Sequence, residues 1–303
     1  MLKHKERYKK TIKNLTVMSD IFARNVFKDK KACEYVLRII MEDKDLTVID
    51  NETQVDFRNM HGRGVVLDCV AKDGSGRIFN VEIQQDDEGA HPKRARYNLG
   101  MMDSNVLDTG KNFDKLPETY VIFVTLKDAL GHGLPIAHID RIIRENGKEF
   151  GDEEHFIYVD SSKDDGGELG RLMHDFRVKE AKEMQAGALK DRVHELKETE
   201  KGVEHMCKEM EALRLEGVEE GRLEEKREKV AGFNVMDDVF FQKMMEDKEV
   251  CEELLRIILE DSGVQVIECI PQASLKNLIG KSVILDVLCR ARDGSYYNVE
   301  VQK

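Results

Sequence analysis

The sequence VVLDCVAKDGSGRIFNVEIQ, residues 65–84, decides the fold, because it has the pattern of a β-hairpin. Its first half opens with apolar, mostly β-branched residues that suit a buried strand. The segment KDGSG then supplies Asp and Gly, which tolerate the positive φ angles that tight turns need. Its second half alternates in polarity over residues 78–84, as a second strand does.

Three polar side chains of this hairpin are placed to converge. Glu82 and Gln84 are two residues apart, so their side chains lie on the same face of the second strand. Asp68 ends the apolar run of the first strand and can lie opposite them. Two carboxylates, with a backbone carbonyl and waters, suit a hard divalent cation such as Mg²⁺. On the residues alone, a hairpin whose polar side chains face solvent is the favoured interpretation, since single acids on exposed strand faces are common.

The spacing D-x₁₃-E-x-Q, with the apolar run before Asp68 and the strand IFNVEIQ, resembles the PD-(D/E)XK nuclease superfamily. Within it, the pattern is most similar to the recombination-promoting nuclease and transposase family. The resemblance implies that Asp68 and Glu82 bind the metal, Mg²⁺ or another divalent cation, and that DNA is the substrate. Gln84 stands where most of the superfamily has a catalytic Lys, whose positive charge Gln cannot supply. The narrower family commonly carries Gln there.

The resemblance also implies three second-tier site residues. Asp20 lies in a first helix with a similar "Asp, then Phe-containing" pattern, although it equally suits an N-cap. Arg94 and Tyr97 match the family's R-x-x-Y element in the helix after the hairpin. Arg94 is expected either to contact a DNA phosphate or to form a salt bridge with Asp86 or Asp87.

The hydrophobic pattern outside the hairpin predicts an α/β (α+β) fold with a restriction-endonuclease-like αβββαβ core. We expect a short first strand at 46–50, followed by a polar link to the hairpin. The core elements are expected at 21–43 (helix), 46–84 (three strands), 92–107 (helix) and 118–126 (strand), with a further strand at 154–160.

The chain contains an internal repeat, which aligns without a gap at a shift of 218 positions. The segments MSDIF at 18 and CEYVLRIIMED at 33 recur as MDDVF at 236 and CEELLRIILED at 251. The polar trio recurs too, as Asp286, Glu300 and Gln302. Repetition of apolar core residues is expected of any duplicated fold, whereas a repeated polar trio is less expected from packing alone.

The sequence therefore predicts three parts: a nuclease-like domain at 15–175, a charged helical linker or weak coiled coil at 176–230, and an incomplete repeat at 231–303. The middle part has many i,i+4 acid–base pairs and a thin, near-heptad apolar stripe, which allows a homodimer through that helix. The second copy has no counterpart of the 92–107 helix or the 118–126 strand, so we expect its site to be inactive or poorly formed.

Composition narrows the function classes. The net charge of −12 and the pI near 5.4 oppose nonspecific nucleic-acid binding, so DNA contact requires a local basic patch. The six cysteines show no zinc-type spacing, and most lie among apolar residues, as buried free thiols in a reducing compartment do. We find no signal peptide and no apolar window of membrane-spanning length, which predicts a cytoplasmic protein without a membrane partner.

These observations favour a metal-dependent DNA endonuclease associated with recombination or transposition, which hydrolyses phosphodiester bonds. The alternative is a catalytically weak or inactive interaction module with the same fold. Gln84, the acidic net charge and the incomplete second copy favour the alternative.

Overall fold

The computed structural model describes residues 4–58, 63–85, 87–107, 110–185, 187–231, 238–275 and 283–300. The chain divides into two compact units, residues 1–214 and 215–303. The main elements of the first unit are α1 Lys5–Asn14, α2 Asp20–Phe27, α3 Lys30–Ile40, β1 Val48–Phe57, β2 Val65–Asp73, β3 Ile78–Gln84, α4 Pro92–Val106, β4 Thr119–Thr125, β5 Ile136–Ile139, β6 Glu154–Asp160, α5 Glu168–Arg177, α6 Ala188–Glu198 and α7 Glu200–Ala231, within which the division falls.

The first unit is built on a six-stranded mixed sheet in the order β1-β2-β3-β4-β6-β5. Strands β1, β2 and β3 are antiparallel neighbours, whereas β3, β4 and β6 run parallel and β5 closes the edge antiparallel to β6. Helix α4 makes the crossover from β3 to β4, as a parallel pair requires. The α/β fold with an αβββαβ core is therefore confirmed.

Two elements differ from the sequence prediction. The first strand does not end at residue 50: β1 continues to Phe57, which pairs with Val65 of β2. The polar side chains after residue 50 favour a link in the sequence, but a strand at the edge of a sheet tolerates them because one of its faces is in contact with solvent. Strand β5 was not predicted, because its four residues lie between glycine-rich turns.

The sheet is buried on both faces, and β4 shows this most clearly. Ile122 and Val124 belong to a large core on the face covered by α2, α3, α5 and α6. Val121 and Phe123 point the other way, into a smaller core beneath α4. In this smaller core the ring of Phe123 stacks on Tyr158, with 5.3 Å between centroids. The continuous apolar run of β4 is the pattern expected of such a strand.

The charged region after residue 168 folds as three successive helices, α5, α6 and α7. The apolar stripe predicted for a coiled coil lies on α6 and the start of α7, and Leu189, Val193, Leu196 and Met206 are buried in the first unit's own core. These side chains are therefore not free for a homodimer contact.

The division of the chain into a nuclease-like domain, a linker and an incomplete repeat, with boundaries at 175/176 and 230/231, stays a prediction. Among the described helices, none combines the length and apolarity needed to cross a membrane.

The second unit repeats part of the first one in three dimensions, namely α2, α3 and β1–β3. It comprises α8 Asp238–Met244, α9 Lys248–Leu259, β7 Val266–Leu275, β8 Val283–Ala291 and β9 Tyr296–Val299. Its strands form an antiparallel sheet in the order β7-β8-β9, with the register of β1-β2-β3 shifted by 218 positions. The irregularity near the start of β1 recurs near the start of β7.

Local backbone features recur at the same shift. Gln54 and Gln272 both have positive φ angles, of 58° and 50°, although side chains rarely adopt that region. A hydrogen bond from an arginine side chain of the helix to the backbone just before the strand recurs as well. Arg38 Nε donates to the carbonyl of Leu46 at 2.7 Å, and Arg256 Nε donates to that of Val264 at 3.0 Å. The repeat is thus a duplicated substructure as well as a duplicated sequence.

Candidate active site

The hairpin brings Asp68 and Glu82 together where the β2–β3 pairing ends. The paired register runs from Lys72 and Ile78 to Cys69 and Val81. Beyond it, the Asp68 backbone N–H donates to Glu82 Oε1 at 3.2 Å, and the Ile83 N–H donates to Asp68 Oδ2 at 3.1 Å. Each carboxylate is thus held by the backbone amide of the opposite strand.

Glu82 is fully buried, yet each of its carboxylate oxygens has partners. Asn80 Nδ2 donates to Oε1 at 2.9 Å, and Arg94 Nη2 forms an ion pair with Oε2 at 2.9 Å. Burial, and next the nearby charge of Asp68, raise the pKa of Glu82 to about 7. The site therefore carries an acidic group that titrates near neutrality.

Arg94 connects α4 to the hairpin. Besides the Glu82 ion pair, its Nη1 donates to Gln84 Oε1 at 3.3 Å and to the Gly89 carbonyl at 2.8 Å. Gln84 Nε2 in turn lies 3.5 Å from Glu82 Oε2. A Cβ added to Gly89 would lie 2.1 Å from Gln84 Oε1, so the glycine leaves the space that the amide occupies.

Asp68 opens onto a cleft of about 640 Å³. The cleft is lined by Met18, Asp20, Arg24, Gln54, Val66, Asp68, Ile83, Gln84, Gln85 and Gly89. Burial is the main cause that raises the pKa of Asp68, and the Asp20 charge adds to it. The cleft therefore gathers two carboxylates and three side-chain amides at the end of the hairpin.

The second-tier residues fall in different places. Asp20 begins α2 after the N-cap residue Ser19, and its carboxylate pairs with Arg24 through contacts of 2.8 and 2.6 Å. Arg94 is in the site, but its ion pair is with Glu82, a partner that the sequence analysis did not consider. Of the two partners considered, Asp86 lies outside the described residues, as does the side chain of Asp87. Tyr97 is 39% exposed, and its hydroxyl donates to the Arg63 carbonyl.

The second copy reproduces part of this arrangement. Asn298 Nδ2 donates to Glu300 Oε1 at 2.8 Å, as Asn80 does to Glu82. Glu300 is exposed, however, whereas Glu82 is fully buried. Asp286 is half-buried in β8, and Gln302 lies outside the described residues.

Several site residues escaped the sequence analysis. Asn80 orients Glu82, Gln54 Nε2 lies 3.4 Å from Asp68 Oδ1, and Gly89 makes room for Gln84. The repeat carried a signal for Asn80, because Asn298 occupies the same position relative to its Glu. It carried one for Gln54 as well, because Gln272 occupies the equivalent position, whereas Gly89 carried none, since its contact arises from tertiary structure.

The sheet order and the polar hairpin define an α/β protein of the PD-(D/E)XK nuclease type. Residues 20–231 match the sequence model of the PD-(D/E)XK nuclease family transposases, and the chain belongs to that family. Membership supports a nuclease-like or transposase function and DNA binding, and PD-(D/E)XK nucleases generally use divalent metal ions. Comparisons with curated proteins and with solved structures gave no match.

The donor set suits such an ion. Asp68 and Glu82 offer carboxylate oxygens, and the Asp68 charge disfavours ionisation of Glu82, a penalty that a bound cation relieves. One Glu82 oxygen already faces a cation, the Arg94 guanidinium. The residues present therefore fit a hard divalent cation better than they fit a soft one.

Proposed function

We propose that the protein is a metal-dependent DNA endonuclease associated with recombination or transposition. One observation supports it most: Asp68 and Glu82 are held together by each other's strand amides, and Asp68 lines a cleft. A divalent cation held by Asp68 and Glu82 would supply Lewis-acid activation of water and stabilisation of charge on a phosphodiester.

The chain's own residues have separate roles in this proposal. Gln84 lines the cleft and positions the attacking water by hydrogen bonding, without the charge of a Lys. Arg94 holds the Glu82 carboxylate and the Gln84 amide in one orientation. Arg24, which also lines the cleft, offers a guanidinium to a DNA phosphate when it leaves Asp20. Mg²⁺ is the cation we expect.

The alternative function, a weak or inactive interaction module, also has support. Arg94 ion-pairs with Glu82 and thereby competes with a metal for that carboxylate. Gln84 cannot replace the charge of the Lys found in most of the superfamily. A protein of this kind would keep the fold and the cleft without hydrolysing DNA.

Nicking of supercoiled plasmid separates the two functions. We expect the full chain to nick with Mg²⁺ or Mn²⁺ and not in EDTA. Asp68→Asn should lower the rate by about 10- to 100-fold, because the amide keeps an oxygen but loses the charge. Asp286→Asn, the matched change in the second copy, should leave the rate unchanged. Cleavage that is absent, or equal in the wild type and Asp68→Asn, would support the module instead.

Metal affinity should depend on pH through Glu82. The raised pKa, about 7, means that protons compete with the cation at that carboxylate below neutrality. We expect Mn²⁺ affinity to fall by up to about tenfold per pH unit below pH 7. Isothermal titration of Mn²⁺ measures this change, and Glu82→Gln should flatten it. An affinity that is constant from about pH 8 to about pH 6 would contradict the assignment of Glu82 as a ligand.

A further inference from the structure

Three cysteines of the second unit lie side by side, although their sequence spacing gave no sign of it. Cys251 comes from α9, Cys269 from β7 and Cys289 from β8. Their sulfur atoms all lie within 4.8 Å of one another. Cys269 and Cys289 face each other across the β7–β8 ladder, with 3.3 Å between the sulfurs.

A fourth sulfur lies next to Cys251. Met245 is fully buried, and its Sδ lies 3.5 Å from Cys251 Sγ. Three thiols and a thioether form a soft donor set, which hard cations such as Mg²⁺ avoid and which Cu(I) prefers. A thioether is a poor ligand for zinc, whose usual protein donors are thiolate, imidazole and carboxylate.

The spacing of the sulfurs suits one shared ion. With metal–sulfur bonds of about 2.3 Å, ligands around a single ion lie about 3.8 Å apart. The observed separations, from 3.3 Å to at most 4.8 Å, bracket that value. Small side-chain rotations that move each sulfur by a fraction of an ångström are enough to equalise these separations. Cys251 and Cys289 are buried, whereas Cys269 is partly exposed and gives an ion a route from solvent.

The first unit shows that packing alone does not require these thiols. At the positions equivalent to Met245, Cys269 and Cys289 it carries Phe27, Asn51 and Ala71. Only Cys251 has a cysteine counterpart, Cys33. In the first unit, Asn51 Nδ2 satisfies the Phe27 carbonyl at 2.6 Å. In the second, Cys251 Sγ approaches the Met245 carbonyl at 3.1 Å. The same scaffold thus folds with and without the cluster.

We propose that Cys251, Cys269 and Cys289, with Met245 as a weak additional ligand, form a Cu(I) site in the second unit. On binding, the thiols lose their protons to solvent and three sulfur–copper bonds form, without any change of oxidation state. The ion links α9 to β7 and β8. This site is independent of the proposed nuclease activity.

The test is Cu(I) titration of the reduced full chain under anaerobic conditions, in competition with the chromophoric chelator bathocuproine disulfonate. We expect the wild type to take up one equivalent and to gain ultraviolet thiolate-to-copper absorption. Cys269→Asn and Cys289→Ala should each weaken Cu(I) binding about a hundredfold or more, because removing a ligand costs at least as much as the roughly 10- to 100-fold lost when an outer-shell partner is removed. Both substitutions install the residue that the first unit carries, so they are chosen to preserve folding, which circular dichroism checks.

Cys33→Ala is the matched control in the first unit. Cys33 and Cys69 form a buried thiol pair there, with 4.0 Å between sulfurs, and neither side chain is accessible to solvent beyond 1%. We expect this variant to bind Cu(I) as the wild type does. The proposal is overturned if the reduced wild type takes up no Cu(I), if the second-unit variants bind it unchanged, or if only Cys33→Ala loses it.

Discussion

Glu82→Gln should abolish metal-dependent nicking while leaving the protein as stable as the wild type or more so. The substitution removes one of the two proposed carboxylate ligands, and we expect the rate to fall by on the order of 10²- to 10³-fold. Burial is the largest cause of the raised Glu82 pKa, so ionised Glu82 is unfavourable for folding. At about pH 8, in EDTA, the free energy of unfolding should be unchanged or about 1 kcal/mol higher in the variant.

The sign of this stability effect follows from the raised pKa. The pKa of Glu82 is 4.5 in its ordinary state and about 7 in the folded protein, so the folded state binds this proton more tightly than the unfolded state does. The two states differ in protonation over the pH window between these two values. The contribution of Glu82 to stability is therefore fully present below this window and is lost as the pH rises through it. Urea unfolding at acidic and alkaline pH measures this loss, which Glu82→Gln should not show.

Glu300→Gln is the control, because Glu300 occupies the equivalent position in the second copy and is exposed. It should change neither the nicking rate nor the stability. If Glu82→Gln nicked DNA at the wild-type rate, the assignment of Glu82 as a metal ligand would be wrong. If it strongly destabilised the protein at alkaline pH, the carboxylate would instead be a structural partner of Arg94.

Arg94→Met should destabilise the metal-free protein, and a divalent cation should restore part of the loss. The substitution keeps the aliphatic packing of the side chain but leaves the buried Glu82 carboxylate without its cation. Breaking a buried ion pair costs about 3–5 kcal/mol, and because the Arg94 side chain is 38% exposed we expect about 2 kcal/mol. Mn²⁺ should raise the melting temperature of the variant more than that of the wild type, since Arg94 no longer competes.

Arg96→Met is the matched control for this substitution. Arg96 lies on the same helix, two residues further on, and is exposed. Its replacement should change the free energy of unfolding by less than about 0.5 kcal/mol and should not alter the response to Mn²⁺. Equal effects of the two substitutions would show that the Arg94–Glu82 ion pair contributes nothing specific to the site.

The sequence predicted those parts of the fold that depend on local pattern. The hairpin at 65–84 follows from turn residues and alternation, and β4 follows from an uninterrupted apolar run. The extension of β1 to Phe57 could not be predicted in this way, because its polar residues are stabilised by pairing with β2 rather than by their own propensity.

The proposed site was predictable in its strand residues but not in its tertiary contacts. Asp68, Glu82 and Gln84 are close because a hairpin fixes their spacing. The Arg94–Glu82 ion pair depends on how α4 crosses the sheet, which no local pattern specifies. The apolar stripe after residue 188 was similarly ambiguous, since the same heptad-like spacing suits a dimer seam and a helix packed on its own domain.

The aromatic pair beneath α4 makes the polar cleft sensitive to the apolar interior. Phe123 pairs in register with Glu82, and the centroid of its ring lies 5.9 Å from the Arg94 guanidinium carbon. The ring of Tyr158 stacks on that of Phe123. Trimming either ring would loosen the guanidinium that orients the carboxylate, with neither the guanidinium nor a carboxylate of the site altered. A substitution in the hydrophobic interior of this protein should therefore impair the site even when every polar residue of the motif stays intact.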